Sequence, residues 1–119
     1  MIPLLIGLIH TWGIIFSLSH EGVASTYRED NEISITFDDG PHPTRTIEIL
    51  DILRSHHTPA TFFVLGGRSS KNEKILKRMV TEGHTIGNHS YSHPDFRKIE
   101  TARVITEILF TDIKIFTTV

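Results

Sequence analysis

Short β-rich runs alternate along this chain with stretches of helical periodicity, and that alternation limits the folds open to it. Glu32-Ile33-Ser34-Ile35-Thr36-Phe37 alternates polar and apolar residues, which predicts a strand ending at Asp38. Pro41 and Pro43 stop it, and a proline at that point suits a helix start. Ile47, Leu50 and Leu53, with Ile49 and Ile52 beside them, predict a helix over 44–55, and Pro59 closes the connection. Ala60-Thr61-Phe62-Phe63-Val64-Leu65 reads as a second strand, apolar enough to be covered on both faces, and Gly66-Gly67 ends it. Ser70-x-x-Glu73 has the pattern of a capping box before a helical face of Ile75, Leu76, Met79 and Val80. Gly83 falls where a C-terminal cap belongs. A shorter third strand follows over 84–88, then a helix over 100–116 with Val104, Ile105, Ile108, Leu109 and Phe116 turned inward. The order β-α-β-α-β-α, repeating about every 25 residues, predicts an α/β fold with a parallel sheet and right-handed crossovers.

At 119 residues the chain is one domain at most, and 39% hydrophobic with 22% charged residues is a globular composition. The net charge of −2 is spread over interspersed acids and bases, with no polybasic run to suggest nucleic acid as a partner. No cysteine is present, which excludes a disulfide framework, a thiolate zinc site and a thiol nucleophile. Residues 1–25 read as a signal peptide or membrane anchor. Ile2 to Leu18 is mostly apolar, and Gly22, Val23, Ala24 and Ser25 offer a small-residue cleavage region. Pro3, His10 and Thr11 interrupt the run, and no positive residue precedes it. It is shorter than the ~20 residues of a spanning helix, which favours a cleaved signal. The protein is then expected to be secreted, periplasmic or in the cell envelope, with membrane association if the segment is retained. Residues 26–119 form the domain.

Two motifs carry chemistry. His89 and His93 are four apart, a spacing that puts two imidazoles on one side of a helical turn, where they can chelate one ion or simply be solvated. Asp38 and Asp39 are adjacent at a strand end, where neighbouring side chains diverge. Asp-Asp-Gly-Pro also makes a good turn by itself. Two carboxylates so close repel unless a cation neutralises one, which joins the motifs into one site. Asp39, His89 and His93 then form a set of three ligands with positions left open, the catalytic rather than the structural pattern. Asp38 is left as general base toward the attacking water. The same donors suit a non-haem iron oxygenase, but that chemistry normally sits on an all-β scaffold, and the alternating pattern opposes it. His42 is a turn residue, a fourth ligand or a substrate contact, with the turn preferred. His84 reads as packing, and His56 and His57 as helix-closing residues. Both motifs follow C-terminal strand ends, where parallel α/β folds build their sites.

Three segments at these residues resemble the NodB-type polysaccharide deacetylases, a family of carbohydrate esterases. They are Ile35-Thr36-Phe37-Asp38-Asp39-Gly40-Pro41-His42-Pro43, Pro59-Ala60-Thr61-Phe62-Phe63-Val64, and Glu82-Gly83-His84-Thr85-Ile86-Gly87-Asn88-His89-Ser90-Tyr91-Ser92-His93-Pro94. The resemblance implies the N-terminal half of a distorted (β/α) barrel. It implies a metal-dependent hydrolase that removes acetyl groups from N-acetylated polysaccharide or oligosaccharide, chitin-like or from peptidoglycan. Asp38 matches the family's catalytic base. Asp39, His89 and His93 match its ligands for a divalent metal, zinc first, with cobalt or nickel as alternatives. Ser90 matches a small hydroxyl position with a local hydrogen-bonding role. The family continues with an Arg-containing groove motif, an Asp-Trp motif and a late Leu-x-His motif, none of which occurs before Val119. The expectation is therefore a partial domain. The alternative is a truncated, catalytically incompetent fragment or pseudoenzyme that at most binds metal or glycan.

Overall fold

A computed structural model of the protein describes residues 33–119, so the expected signal or anchor over 1–25 lies outside the described residues. Among the described residues no helix is long and apolar enough to cross a membrane. Three parallel strands lie side by side in the order β1 (Thr36–Gly40), β2 (Thr61–Val64), β3 (Thr85–Asn88). Helix α1 (Arg45–Ser55) connects the first two, and α2 (Gly66–Ser69) with α3 (Glu73–Thr81) connects the second pair. A 3₁₀ turn, Phe96–Lys98, precedes the last helix, α4 (Thr101–Thr118). The alternation read from the sequence is thus the observed architecture.

The strand register places the first motif. Thr36 faces Thr61 and Phe37 faces Phe62, but Gly40 faces Val64, so Asp38 and Asp39 together oppose Phe63. This is a β-bulge, and β1 runs on through the acidic pair instead of stopping at Asp38 as expected. The extra residue is accommodated by Asp39 at φ 65. Bulges of this kind re-aim a side chain next to a site. Between β2 and β3 the register is regular, and Phe63 faces Gly87, whose hydrogen lies against the Phe63 ring where a Cβ would collide.

The core lies between the sheet and the helices α1 and α3. Leu50, Leu53, Ala60, Phe62, Val64, Ile75 and Met79 form it, with Phe37 stacked on Phe62 at 5.1 Å between ring centroids. Burying each of these side chains except that of Ala60 is worth about 1.5–3 kcal/mol. The inner face of α1 is Thr46, Leu50 and Leu53, while Ile47 and Ile52 are exposed, one position round from the expected stripe. Thr46 turns inward because its hydroxyl accepts the His42 N–H at 2.8 Å, which ties the helix start to the turn.

The structure departs from expectation at three further points. Gly66-Gly67 does not simply end β2 but opens α2, and the Ser70-x-x-Glu73 capping box does not form. Ser70 closes α2 instead, and Asn72 is the N-cap of α3, its amide donating back to the Arg68 carbonyl at 2.9 Å. The inward face of α4 is also different. Glu107, Thr111 and Thr118 are buried, with Val104 and Ile115 partly so, whereas Ile105, Ile108, Leu109 and Phe116 are exposed. The cause is a close approach. Gly66 lies so near Thr111 and Tyr91 that a Cβ there would come within 2.6 Å of each, so α4 meets α2 through a residue as small as Thr111, and Glu107 one turn earlier faces the 91–92 backbone.

Candidate metal centre

Each element ends by delivering one part of the site. The bulge of β1 turns Asp39 across the C-terminal edge of the sheet, and the Arg68 guanidinium holds its carbonyl oxygen at 2.6 Å. Just past the end of β3, His89 continues the ladder, its N–H donating to the Val64 carbonyl at 3.0 Å. Its ring is tilted against Phe63, 6.5 Å between centroids. Beyond it the chain coils tightly, with Ser90 at φ 66 and His93 at φ 59. Ser90 is buried, and its hydroxyl accepts the His93 N–H at 3.1 Å, the local role expected of it.

The result is convergence. Asp39 Oδ1 lies 3.3 Å from His89 Nε2 and 3.5 Å from His93 Nε2. One ligand atom from each of the three side chains fits within 4.8 Å. Ligand bonds of ~2.0–2.2 Å at near-tetrahedral angles set neighbouring donors roughly 3.3–3.5 Å apart, so the donor set fits a divalent ion such as zinc. Asp38 is not part of this cluster. It is exposed and lines a cleft of about 330 Å³ together with Asp39, His42, Arg45 and Arg68. A second open cleft, about 410 Å³, runs over His89 and His93 toward Pro94, Phe96 and Ile108.

The other histidines have packing and turn roles. His42 Nδ1 accepts the N–H groups of Thr44 and Arg45 at 3.2 Å each, capping α1, while the Thr44 side chain makes no cap bond. His84 is buried, takes the Ala60 N–H at Nδ1 and meets Phe62 edge-on, and its buried Nε2 has no partner among the described residues. His56 is the C-cap of α1 and His57 follows at φ 52.

Two residues of the site lie outside every sequence motif. Arg68 carried no signal, since a lone arginine after a Gly-Gly pair reads as solvated surface. Glu107 was hidden within an apolar helical stretch. It is 1% exposed, and its carboxylate accepts the N–H groups of Tyr91 and Ser92 and the Ser92 hydroxyl, with Arg103 at 2.7 Å. Burial alone would push its pKa up. The hydrogen bonds from Ser92 and the Arg103 charge outweigh that and hold it below the ordinary glutamate value.

The profile of the family described as polysaccharide deacetylase matches residues 26–116. The chain is 46% identical over 77 residues to a chitooligosaccharide deacetylase of Bradyrhizobium sp. (strain ANU 289), covering 65% of this chain and 35% of that protein. Among solved structures it is similar to the Bc1960 peptidoglycan N-acetylglucosamine deacetylase, with TM-score 0.72 and 42% identity over 73% of this chain and 41% of that one. It is also similar to a family 4 acetyl xylan esterase from Clostridium thermocellum in complex with a cobalt ion, with TM-score 0.69 and 36% identity over 71% of this chain and 42% of that one. The chain spans about a third of the length of the curated relatives it matches. These likenesses bear out the parallel βα architecture of a partial NodB-type (β/α) barrel. By sequence and by fold, the chain belongs to the polysaccharide deacetylase family.

Proposed function

We propose that this chain carries the metal-binding and base half of a hydrolase that removes acetyl groups from N-acetylated sugars of chitin-like oligosaccharide or peptidoglycan. The observation that carries the reading is the approach of Asp39 Oδ1 to both imidazole Nε2 atoms at 3.3 and 3.5 Å. Asp39, His89 and His93 would hold the ion, zinc first, with cobalt or nickel as alternatives; a cobalt ion in the related esterase supports that range. When bound, such an ion supplies Lewis-acid polarisation of the acetyl carbonyl and lowers the pKa of water. Asp38 takes the proton of the attacking water at its carboxylate. The water oxygen bonds to the acetyl carbon, the C–N bond breaks as the leaving nitrogen takes up a proton (in net, the one Asp38 removed), and acetate and a free amine leave. The names of the relatives, acting on chitooligosaccharide and peptidoglycan N-acetylglucosamine, support the substrate class. We assign residues 1–25 an export or anchoring role, which places the domain outside the cytoplasm, secreted, periplasmic or in the cell envelope, where such polymers lie.

The test is acetate release from an N-acetylated chitooligosaccharide by the 119-residue chain with zinc or cobalt. Release that disappears in Asp38→Asn supports the reading. Metal binding with no acetate release rejects the enzymatic reading in favour of a metal- or glycan-binding role.

A further inference from the structure

We propose that Glu107 is a positioning residue for the metal centre: from α4 it clamps the backbone between His89 and His93 and so sets the distance between the two imidazoles. The inference rests on the metal-site reading above. Four consecutive backbone N–H groups follow His89, and each donates to a side-chain oxygen. Ser90 donates to Asn88 Oδ1 at 2.8 Å, and His93 to Ser90 Oγ at 3.1 Å. The two between them, Tyr91 and Ser92, donate to Glu107 Oε2 at 3.0 and 2.6 Å. The Ser92 hydroxyl adds a bond to Glu107 Oε1 at 2.9 Å. The carbonyls of Ser90 and Tyr91 are held in turn by the N–H groups of Gly66 and Gly67.

Such over-determination has a physical reason. Ser90 and His93 both adopt left-handed backbone, which costs free energy in a non-glycine residue and persists only when its surroundings enforce it. Asn88 and Ser90 are local and move with the loop. Among the described residues Glu107 is the one side-chain acceptor for these N–H groups that comes from a separate element, so it ties the loop to the packed body of the domain. A leucine at 107 would suit the apolar stretch around it, and a carboxylate buried there is tolerated only because the loop and Arg103 supply its partners. Partners of this kind beside metal ligands typically matter 10–100-fold in metal affinity.

The experiment uses the full chain as wild type, Glu107→Gln, Ser92→Ala and the core control Ile75→Val. Amide hydrogen exchange at Tyr91 and Ser92 is measured without metal, followed by cobalt(II) titration and the visible spectrum at saturation. In Glu107→Gln we expect lost amide protection, cobalt affinity down about 10–100-fold and a changed cobalt spectrum. Ser92→Ala, at an exposed position, should move the same way by less, and Ile75→Val should change neither affinity nor spectrum. Wild-type affinity and spectrum in Glu107→Gln, or a loss matched by Ile75→Val, would overturn the proposal. If wild type takes up no cobalt, the deacetylase reading fails, and amide protection alone decides the clamp. If Glu107→Gln does not fold, a cobalt affinity lowered in Ser92→Ala supports the clamp and an unchanged one sinks it.

Discussion

Asp38 and Asp39 are chemically identical and adjacent, yet the bulge assigns them different surroundings. Asp39, at φ 65, turns to the two imidazoles, while Asp38 stays on the neighbouring cleft. Replacing Asp38 by asparagine should therefore lower kcat by about 10²–10⁴, the usual worth of a positioned base. Cobalt affinity should stay at the wild-type value; acetate release and calorimetric titration on the same preparation separate the two effects. Gly87 is a second constrained position, because a Cβ there would enter the Phe63 ring, and Phe63 flanks His89. Gly87→Ala should cost about 1–3 kcal/mol through overpacking, read from urea unfolding.

Helices α1 and α3 end with the same device. In α1 the N–H groups of His57 and Thr58 bond the carbonyls of Arg54 and Leu53; in α3 those of Gly83 and His84 bond Val80 and Met79. Both are Schellman closures, which need left-handed backbone at one residue. Gly83 adopts φ 84 without a side chain, and His57 adopts φ 52 with one. His57→Gly should therefore stabilise the protein, and Gly83→Ala should destabilise it, each by roughly 1 kcal/mol. A Cβ at Gly83 meets nothing within 4 Å, so the second cost is conformational alone. Equilibrium denaturation of the two variants checks both signs. Periodicity located these helices because apolar spacing reports a buried stripe. It misjudged α4, where the stripe that packs is Glu107, Thr111 and Thr118.

Helix α4 ties stability of the whole molecule to pH. Glu107 is held below the ordinary glutamate range in the folded protein, against about 4.3 in an unfolded chain. A depressed folded value contributes stability that is present above the unfolded pKa and is lost as pH falls through the folded one. Stability should thus decline as pH drops below about 4, and the decline should be shallower in Glu107→Gln, followed by denaturant midpoints across the acid range. The opposite side of α4 behaves differently. Phe116 is 76% exposed, so Phe116→Lys should shift unfolding by no more than about 0.5 kcal/mol, measured in the same way.

The βα alternation and the strand-end placement of both motifs were legible in the sequence, because each follows from local spacing. So were the packing role of His84 and the glycine closure of α3. Asp39, His89 and His93 do converge, but on a left-handed coil and not on the helical turn their spacing suggested. Other features depend on which segment lies against which. Nothing near Asp39 in the chain announces a bulge; it appears only when Asp38 and Asp39 must share Phe63 as partner. Gly66 is required in α2 because Tyr91 and Thr111 leave no room for a side chain there, and both neighbours come from later in the chain. Glu107 lies sixteen residues from Tyr91, and no local pattern can join a carboxylate on one element to N–H groups on another. Residue type and spacing determined which groups could bind a metal, and tertiary packing alone decided how the loop between them is held.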